Sequence, residues 1–410
     1  MSILGKIKFK GTSRQMLYET RHIYTTAMHQ YINHCIYVGG SYYIVYPKSF
    51  TNRMDVVLWK LTGRSWSGGN VVITGITGEN DGHALPCICA DNDGYLYIAK
   101  QQNDIGVATE VYKSDNPLDL LNFTKIATID TSIDEHPYPK LAQLGTNVYL
   151  FCRDSFDSTL DFGVVSTGMS MSSLIDIASS YKSYVHLVRD ESNNRITLLC
   201  GVLDDTDFTM YRVGVITTTD GTNWGNWDGT WSKDVSAGKI TEAEFITNCC
   251  LVNDATRSNH YFPTDSFIKN GNIYILVEEG AAAGGAPMVD YVKATIRYYD
   301  DGWQSVAVPA TVTGMPYNYD LTLETRLHLG YNSDGFVLLK MANTNYNNVT
   351  KYTSSDMSSW GEGEVVMTSQ SPMKFGLYGT CKNKEIVIFG YNTPGTVVLV
   401  GGDPCVYDYT

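Results

Sequence analysis

Seven times along the chain, an apolar segment with alternating polar positions is followed by a tight polar turn and a second alternating segment. Alternation of period two around Gly, Asn and Asp turns is typical of β-hairpins. The spacing between successive turns is close to the length of one four-stranded propeller blade, about 40 to 50 residues. The seven turns lie at Gly39, Asn92, Gly145, Ser192, Asn270, Ser333 and Lys382.

These repeats predict an all-β protein, a seven-bladed β-propeller of four-stranded antiparallel blades. A second polar turn follows most of the hairpins and has the composition expected of an outer hairpin, with Asp or Ser, often Gly, and a Trp that is expected to pack back over the turn. These outer hairpins lie at 58–66, 112–117, 217–224, 298–303 and 352–360.

Seven blades account for nearly all of the chain, so we predict a single domain over 1–410. Within it, 1–27 form an N-terminal lead and a candidate ring-closing strand. Either end of the chain could supply the outermost strand of the last blade. The segment 169–180 is expected to form one or two helical turns, and 230–257 a loop. The predicted blades are approximately 28–78, 79–132, 133–181, 182–240, 258–312, 320–368 and 370–410.

The charge and composition of the chain limit the kinds of partner that we expect. The net charge of −13 argues against a general nucleic-acid or anionic-membrane surface. No apolar stretch approaches the length that spans a membrane, and residues 1–10 lack a secretion signal. We therefore expect a chain made in the cytoplasm and, if it serves outside the cell, released as part of a virion. Virion components or further copies of the chain are candidate partners.

The chain has 9 cysteines, scattered over predicted strands. Cysteines in a reducing compartment are mostly buried thiols. Cys87 and Cys89 would point to opposite faces of one strand, and the adjacent Cys249 and Cys250 are poorly placed to chelate a metal together. The sequence therefore predicts no zinc site, and no cofactor is expected.

Polar and aromatic residues recur just before each inner strand, where side chains converge on the axis of the ring. Aromatic faces and fixed hydrogen-bonding groups in a shared pocket suit a carbohydrate. The expected ligand is a polysaccharide or a cell-surface glycan. The positions are His34, His83, His136 with Tyr138, Tyr184 with His186, Tyr261 with Asp265, Glu324 with Arg326, and Lys374.

Five short segments carry a resemblance to a known family: DGHALP at 81–86 leading into ADNDGYLY at 90–97, YKSDNPLD at 112–119, and YPKL at 138–141 leading into VYLFCR at 148–153. In their order and spacing they resemble the BNR-repeat, sialidase-like β-propeller family that includes ulvan-type polysaccharide lyases. The resemblance covers roughly residues 28 to 165, and more weakly the rest.

The resemblance implies catalytic roles for His83, Tyr138 and Arg153. Arg153 would hold a uronate carboxylate, His83 would be the base, and Tyr138 the acid or a second base. Each also has a structural alternative: a backbone contact for His83, packing for Tyr138, and an ion pair with Asp154 or Asp157 for Arg153. The candidate substrate-binding residues are His34, Gln101, Gln102, His136, Lys140 and Arg326.

One departure from the family weakens the case for elimination. The lyases of this family carry a second His about one strand after the first, whereas this chain reads KQQND at 100–104. Glutamine does not exchange a proton at neutral pH, although it still binds sugar hydroxyls.

Three functions remain. The first is a lyase-like propeller that cleaves or binds a uronate-containing glycan in its central funnel. The second is a non-catalytic glycan-binding, receptor-binding or structural propeller of a phage tail or another virion appendage. The third and most distant is a sialidase, which needs an arginine triad that the sequence does not display.

Overall fold

Antiparallel strands joined by tight turns make up most of the described chain, as the period-two alternation predicts. The structure is a computed structural model. It describes residues 7–9, 15–21, 35–50, 53–62, 65–75, 86–100, 108–129, 138–154, 159–176, 181–188, 194–204, 209–281, 288–315, 317–320, 327–332, 335–341, 348–369, 373–379, 386–392 and 396–401.

Two strands precede the first hairpin, and three blades follow them in chain order. The first two strands are β1 (Ile7–Phe9) and β2 (Gln15–Arg21). Blade 1 contains β3 (Cys35–Val38), β4 (Ser41–Phe50), β5 (Arg53–Thr62) and β6 (Ser65–Ile73). Blade 2 contains β7 (Cys87–Ala90), β8 (Leu96–Lys100), β9 (Thr109–Ser114) and β10 (Phe123–Ile129). Blade 3 contains β11 (Lys140–Leu144), β12 (Asn147–Arg153), β13 (Thr159–Val164) and β14 (Ser172–Asp176).

Blade 4 is the most elaborate and is followed by an insertion. Its strands are β15 (Tyr181–Leu187), β16 (Ile196–Asp204), β17 (Thr209–Thr218), β18 (Asn223–Gly225) and β19 (Ser232–Asp234). The insertion contains β20 (Ile240–Thr241), α1 (Glu242–Asn248) and β21 (Cys250–Asn253).

Two further blades and a last sheet complete the described chain. Blade 5 contains β22 (Asn259–Lys269), β23 (Asn272–Ala281), β24 (Met288–Tyr299) and β25 (Trp303–Val308), with α2 (Ala310–Thr313) and β26 (Tyr317–Asp320) after them. Blade 6 contains β27 (Leu327–Asn332), β28 (Gly335–Met341), β29 (Asn348–Ser354) and β30 (Glu364–Ser369). The last strands are β31 (Met373–Gly379), β32 (Ile386–Asn392) and β33 (Thr396–Gly401).

The prediction of seven four-stranded blades is wrong, because the structure is a six-bladed propeller. Only blades 1 and 2 of the six are four-stranded; the other four sheets have five or six strands, through additions such as β20, β21 and β26. A further sheet in the order β2-β33-β32-β31 follows blade 6. Its side chains lie outside the described residues, and it is not counted as a blade. Hairpin periodicity counts strand pairs, and it does not determine how many of the resulting sheets are blades of the ring.

The core lies between the faces of neighbouring blades. One cluster of buried side chains includes Leu141 of blade 3, Leu276 of blade 5 and Leu327 of blade 6. The inner strands of consecutive blades contact each other, β3 with β7, β7 with β11, and β22 with β27. The inner strands therefore surround a common axis, and their starting residues are brought together there.

Blade 4 is joined to blade 3 by the insertion, a region where two sequence predictions are wrong. The segment 230–257 holds β20, α1 and β21 rather than a loop alone, and 172–176 forms the strand β14 where helical turns were expected. β20 pairs in parallel with β14, and β21 pairs with β17. Thr241 caps α1 through a capping box with Glu244.

The N-terminal lead forms two outer strands on two different sheets. β1 pairs antiparallel with β30 of blade 6, and β2 pairs antiparallel with β33 of the last sheet. Each takes the outermost position in its sheet. The N-terminal segment therefore covers an otherwise open edge in both places. In the described part of the chain, no helix has the length and apolar character to cross a membrane.

Candidate functional site

Side chains from the inner strands of four consecutive blades influence one another at the axis. They are Lys140 on β11, His186 on β15, Asp265 on β22 and His328 on β27. Lys140, His186 and His328 are all buried. This agrees with the sequence prediction that polar groups converge where the inner strands meet.

Tyr138 precedes β11 and has an unusual backbone. Its φ is 59°, in the left-handed region that residues other than glycine seldom adopt, and Pro139 follows it. The residue is buried, with 4% of its surface exposed. Such strain is retained only where the surroundings impose it, and it concentrates at functional sites.

Arg153, the last residue of β12, lies beside two tyrosine rings. Its guanidinium carbon is 5.0 Å from the centre of the Tyr138 ring and 5.1 Å from that of the Tyr184 ring. The two rings are 5.7 Å apart and tilted by 48°. These distances are those of cation–π contacts, which hold the guanidinium in a fixed orientation. The site therefore brings together a cation, two aromatic faces and two phenol groups from blades 3 and 4.

Lys140 is the second cation of this cluster. Its Nζ donates a 2.7 Å hydrogen bond to the carbonyl oxygen of Tyr138 and lies 5.9 Å from the centre of the Tyr138 ring. Burial lowers the pKa of Lys140 to about 8, and the nearby charge of Arg153 acts in the same direction. Lys140 therefore changes charge close to neutral pH.

The axis continues through a histidine–aspartate group. Burial lowers the pKa of His186 to about 3, with smaller contributions in the same direction from Lys140 and His328 and an opposing one from Asp265. The Nδ1 of His328 lies 3.3 Å from an Asp265 carboxylate oxygen, which also accepts a 3.1 Å bond from the backbone N–H of Leu329. His186 is therefore neutral at physiological pH.

The structure brings together three of the nine predicted site residues: Tyr138, Arg153 and Lys140. The other six lie outside the described residues: His34, His83, Gln101, Gln102, His136 and Arg326. Four of these six positions lie next to the ends of described strands. His34 directly precedes β3, and Arg326 directly precedes β27. Gln101 and Gln102 directly follow β8.

Sequence reasoning assigned no role to Tyr184 and did not select His328. Tyr184 was recognised as an axis position, but its contact with Arg153 depends on the packing of blade 4 against blade 3. His328 is the second residue of β27, whereas the prediction placed the polar pair of that blade at Glu324 and Arg326. His328 could have been found as a single histidine between two leucines at the start of a predicted strand.

In the described part of the chain, the cysteines are thiols that form no disulfide: Cys35, Cys87, Cys89, Cys152, Cys200, Cys249 and Cys250. Burial raises the pKa of the Cys87 thiol to about 12 and that of Cys152 well above its ordinary range. Both are therefore protonated beside Lys140. Within the described ranges, no group of three or more His, Cys, Asp and Glu side chains is placed to hold a metal ion.

No protein-family model matches the chain. No curated protein matches it either. The BNR-repeat assignment is therefore without support from a family match.

Solved structures do match the fold. An ulvan lyase described as a new family of polysaccharide lyase, PL25, superposes with a TM-score of 0.67 at 13% identity, over 95% of this chain and 96% of that one. The same lyase is known bound to -[GlcA(1-4)Rha3S]-. The polysaccharide lyase Uly1 matches with a TM-score of 0.57 at 10% identity, over 98% and 94% of the two chains. The BP39L lectin from Burkholderia pseudomallei matches with a TM-score of 0.55 at 9% identity, over 92% and 96%.

Proposed function

We propose that this propeller is directed at carbohydrate and that it takes a uronate-containing polysaccharide at the cluster of Tyr138, Arg153 and Tyr184. The observation that carries the proposal is the guanidinium of Arg153, held 5.0 Å and 5.1 Å from the centres of the two tyrosine rings at the end of an inner hairpin. An oriented guanidinium suits a carboxylate, and tyrosine rings suit the C–H faces of a sugar. The full-length likeness to two polysaccharide lyases and a lectin supports it.

The first candidate activity is β-elimination. Arg153 pairs with the uronate carboxylate and stabilises the negative charge that develops when the neighbouring C–H proton is removed. The electrons of that C–H bond form a C=C bond while the C–O bond to the leaving sugar breaks, and the leaving oxygen takes up a proton. The resemblance to the lyase family gives proton removal to His83 and proton donation to Tyr138.

Elimination creates a conjugated, unsaturated uronate that absorbs ultraviolet light, so the purified protein should be incubated with a panel of uronate polysaccharides that includes ulvan. We expect a rise in absorbance for the wild type that is lost in His83→Ala and in Tyr138→Phe. Phe preserves the ring that stacks on Arg153 and removes the hydroxyl group. Arg153→Lys keeps the charge but not the planar fork, and we expect it to raise KM and lower kcat.

Two results would count against this activity. A wild-type rise that survives both His83→Ala and Tyr138→Phe would place the chemistry elsewhere. A flat trace with no binding to any uronate polysaccharide would reject the proposed substrate class.

The second candidate is a non-catalytic glycan-binding propeller, such as a virion appendage. It is favoured by the small exposed fractions of Tyr138 and Arg153, 4% and 7%, since a packed Arg–Tyr stack also serves to join blades. A flat absorbance trace together with measurable binding of one glycan by calorimetry would select it. Arg153→Ala should then abolish that binding, and a large fall in melting temperature would instead assign Arg153 to the scaffold.

A further inference from the structure

The ammonium of Lys140 is directed at the protein's own backbone. Lys140 is the first residue of β11 and is 3% exposed. Its Nζ donates to the carbonyl oxygen of Tyr138, two residues earlier, at 2.7 Å. A buried ammonium on a carbonyl is a charge-assisted hydrogen bond, which is stronger than one between neutral groups.

That bond lies where the backbone is strained. Tyr138 has a φ of 59°, a conformation that a residue other than glycine adopts only at a cost in free energy. The hydrogen bond from Lys140 fixes the orientation of the peptide group that follows Tyr138. The same residue carries the ring that stacks on Arg153. The backbone bond and the ring contact are therefore two constraints on one residue of the candidate site.

The groups around Lys140 come from four strands. They are Cys87 on β7, Cys152 and Arg153 on β12, His186 on β15 and Cys200 on β16. Burial keeps the three thiols protonated by raising the pKa of Cys87 to about 12 and those of Cys152 and Cys200 well above their ordinary range. His186 is neutral because burial lowers its pKa to about 3. Among these groups, the charges are those of Lys140 and Arg153. On the far side of His186, the carboxylate of Asp265 on β22 pairs with His328 on β27.

We propose that Lys140 is a positioning residue, which acts through the carbonyl group of Tyr138 to hold the Tyr138 ring against Arg153 and whose protonation state sets the charge of the site. It does not contact the glycan. This replaces the substrate-binding role that the sequence suggested for Lys140. The effect on a ligand rests on the proposed function, whereas the effect on Tyr138 does not.

The pH at which the switch occurs follows from burial. The pKa of Lys140 is lowered to about 8, so the ammonium is present below that pH and is lost above it. Loss of the charge weakens the bond to the Tyr138 carbonyl and leaves Arg153 as the remaining cation of the group.

The first experiment needs no glycan. The protein is labelled with tyrosine that carries 13C in its ring, which leaves the phenol's own titration at about pH 10, and the ring resonance of residue 138 is identified by its absence in Tyr138→Phe. We expect this resonance to shift with pH with a midpoint near 8 in the wild type, and to lose that transition in Lys140→Met and Lys140→Arg. Arg keeps a permanent charge, so Lys140→Arg should hold the resonance at the position that the wild type shows at low pH.

A Tyr138 transition that is unchanged in Lys140→Arg overturns the proposal, as does a wild-type resonance that does not respond to pH. Because Lys140→Met could fail to fold, Lys140→Arg is the deciding variant, and a matching thermal melt confirms that it is folded. If the arginine does not fit and the variant unfolds, the wild-type titration decides, because a Tyr138 resonance that stays in place while Lys140 loses its proton contradicts the proposal.

The second experiment measures the dissociation constant for ulvan as a function of pH. We expect binding by the wild type to weaken roughly threefold to tenfold above pH 8 and binding by Lys140→Arg to remain level. If the wild type does not bind ulvan, the proposed ligand class is at fault, and the resonance of Tyr138 still decides the role of Lys140. Ulvan binding with the same pH profile in both proteins would reject the charge effect.

Discussion

Burial controls the ionisation of the residues that meet at the axis. It keeps His186 neutral, brings the pKa of Lys140 near 8, and holds the neighbouring thiols in their protonated form. Folding therefore binds or releases protons at identifiable positions. A folded-state pKa that differs from that of the unfolded chain makes stability depend on pH.

We expect His186 to contribute to acid unfolding. The pKa of His186 is about 3 in the folded protein and about 6.5 in an unfolded chain. Between these values the unfolded chain binds a proton that the folded protein does not, so the free energy of unfolding falls as pH falls through this window. His186→Gln should flatten this dependence. Urea unfolding at several pH values would measure it, and parallel curves for the two proteins would contradict it.

The sequence predicted Tyr138, Arg153 and Lys140 as site residues. Tyr138 and Lys140 belong to the YPKL segment and Arg153 to the VYLFCR segment. The structure brings all three together. It could not predict that Lys140 points at a backbone carbonyl, because that depends on the positive φ of Tyr138. Tyr184 and His328 join the group through blade-to-blade packing. Local pattern carries no information on that packing.

At the scale of the element, the outer hairpins at 217–224 and 352–360 share one local mechanism. Thr218 and Ser354 each accept backbone N–H groups through their hydroxyl oxygens, and Asp220 and Asp356, two residues later, each accept two more. These bonds shape the turn without help from the rest of the fold. This is why such turns could be recognised from sequence.

The tryptophans of these hairpins were predicted less well. Trp360 packs back over its own turn, with its indole N–H bonded to the carbonyl of Met357 at 2.9 Å. Trp224 instead leaves its hairpin and meets Phe151 and Phe162 of blade 3 edge to face, with ring centres 5.8 and 5.9 Å away. Which neighbour a hairpin meets depends on the ring, so sequence alone could not place Trp224.

We expect Trp224→Ala to be strongly destabilising. Trp224 is fully buried between blades, and loss of a large buried aromatic side chain costs roughly 3–5 kcal/mol. Trp303→Ala is the matched control, because Trp303 is 37% exposed and packs on Tyr299 of its own blade. Thermal unfolding of both variants would measure the difference. Equal losses would mean that Trp224 does not join blades 3 and 4.

At the scale of the whole molecule, the sequence predicted an all-β propeller correctly and the number and size of its blades incorrectly. The alternation of period two identified the hairpins because it reports which face of a strand is buried. It could not report that β20, β21 and β26 enlarge blades 3, 4 and 5. These strands are short and lie in segments with weak alternation, and they form because a neighbouring edge is available.

The N-terminal strands should matter for the whole ring. Deleting residues 1–21 removes β1 from β30 and β2 from β33, which leaves two sheets with open edges. We expect a lower melting temperature and association of the protein, measured by thermal unfolding and light scattering. Deleting residues 1–10 removes β1 alone and should have the smaller effect. A full-length melting temperature in the longer deletion would contradict this role.

The pairing of β2 with β33 also sets an order of events during synthesis. Residues 15–21 leave the ribosome well before their partner strand, residues 396–401, is made. At ordinary rates of translation the interval is on the order of tens of seconds. Throughout it, both the early segment and the growing array of blades lack a partner edge, and contacts between such distant residues form slowly. The pairing of β2 with β33 is therefore a late step of folding, and protection of nascent chains by chaperones should affect the yield of native protein more than any change within a single blade.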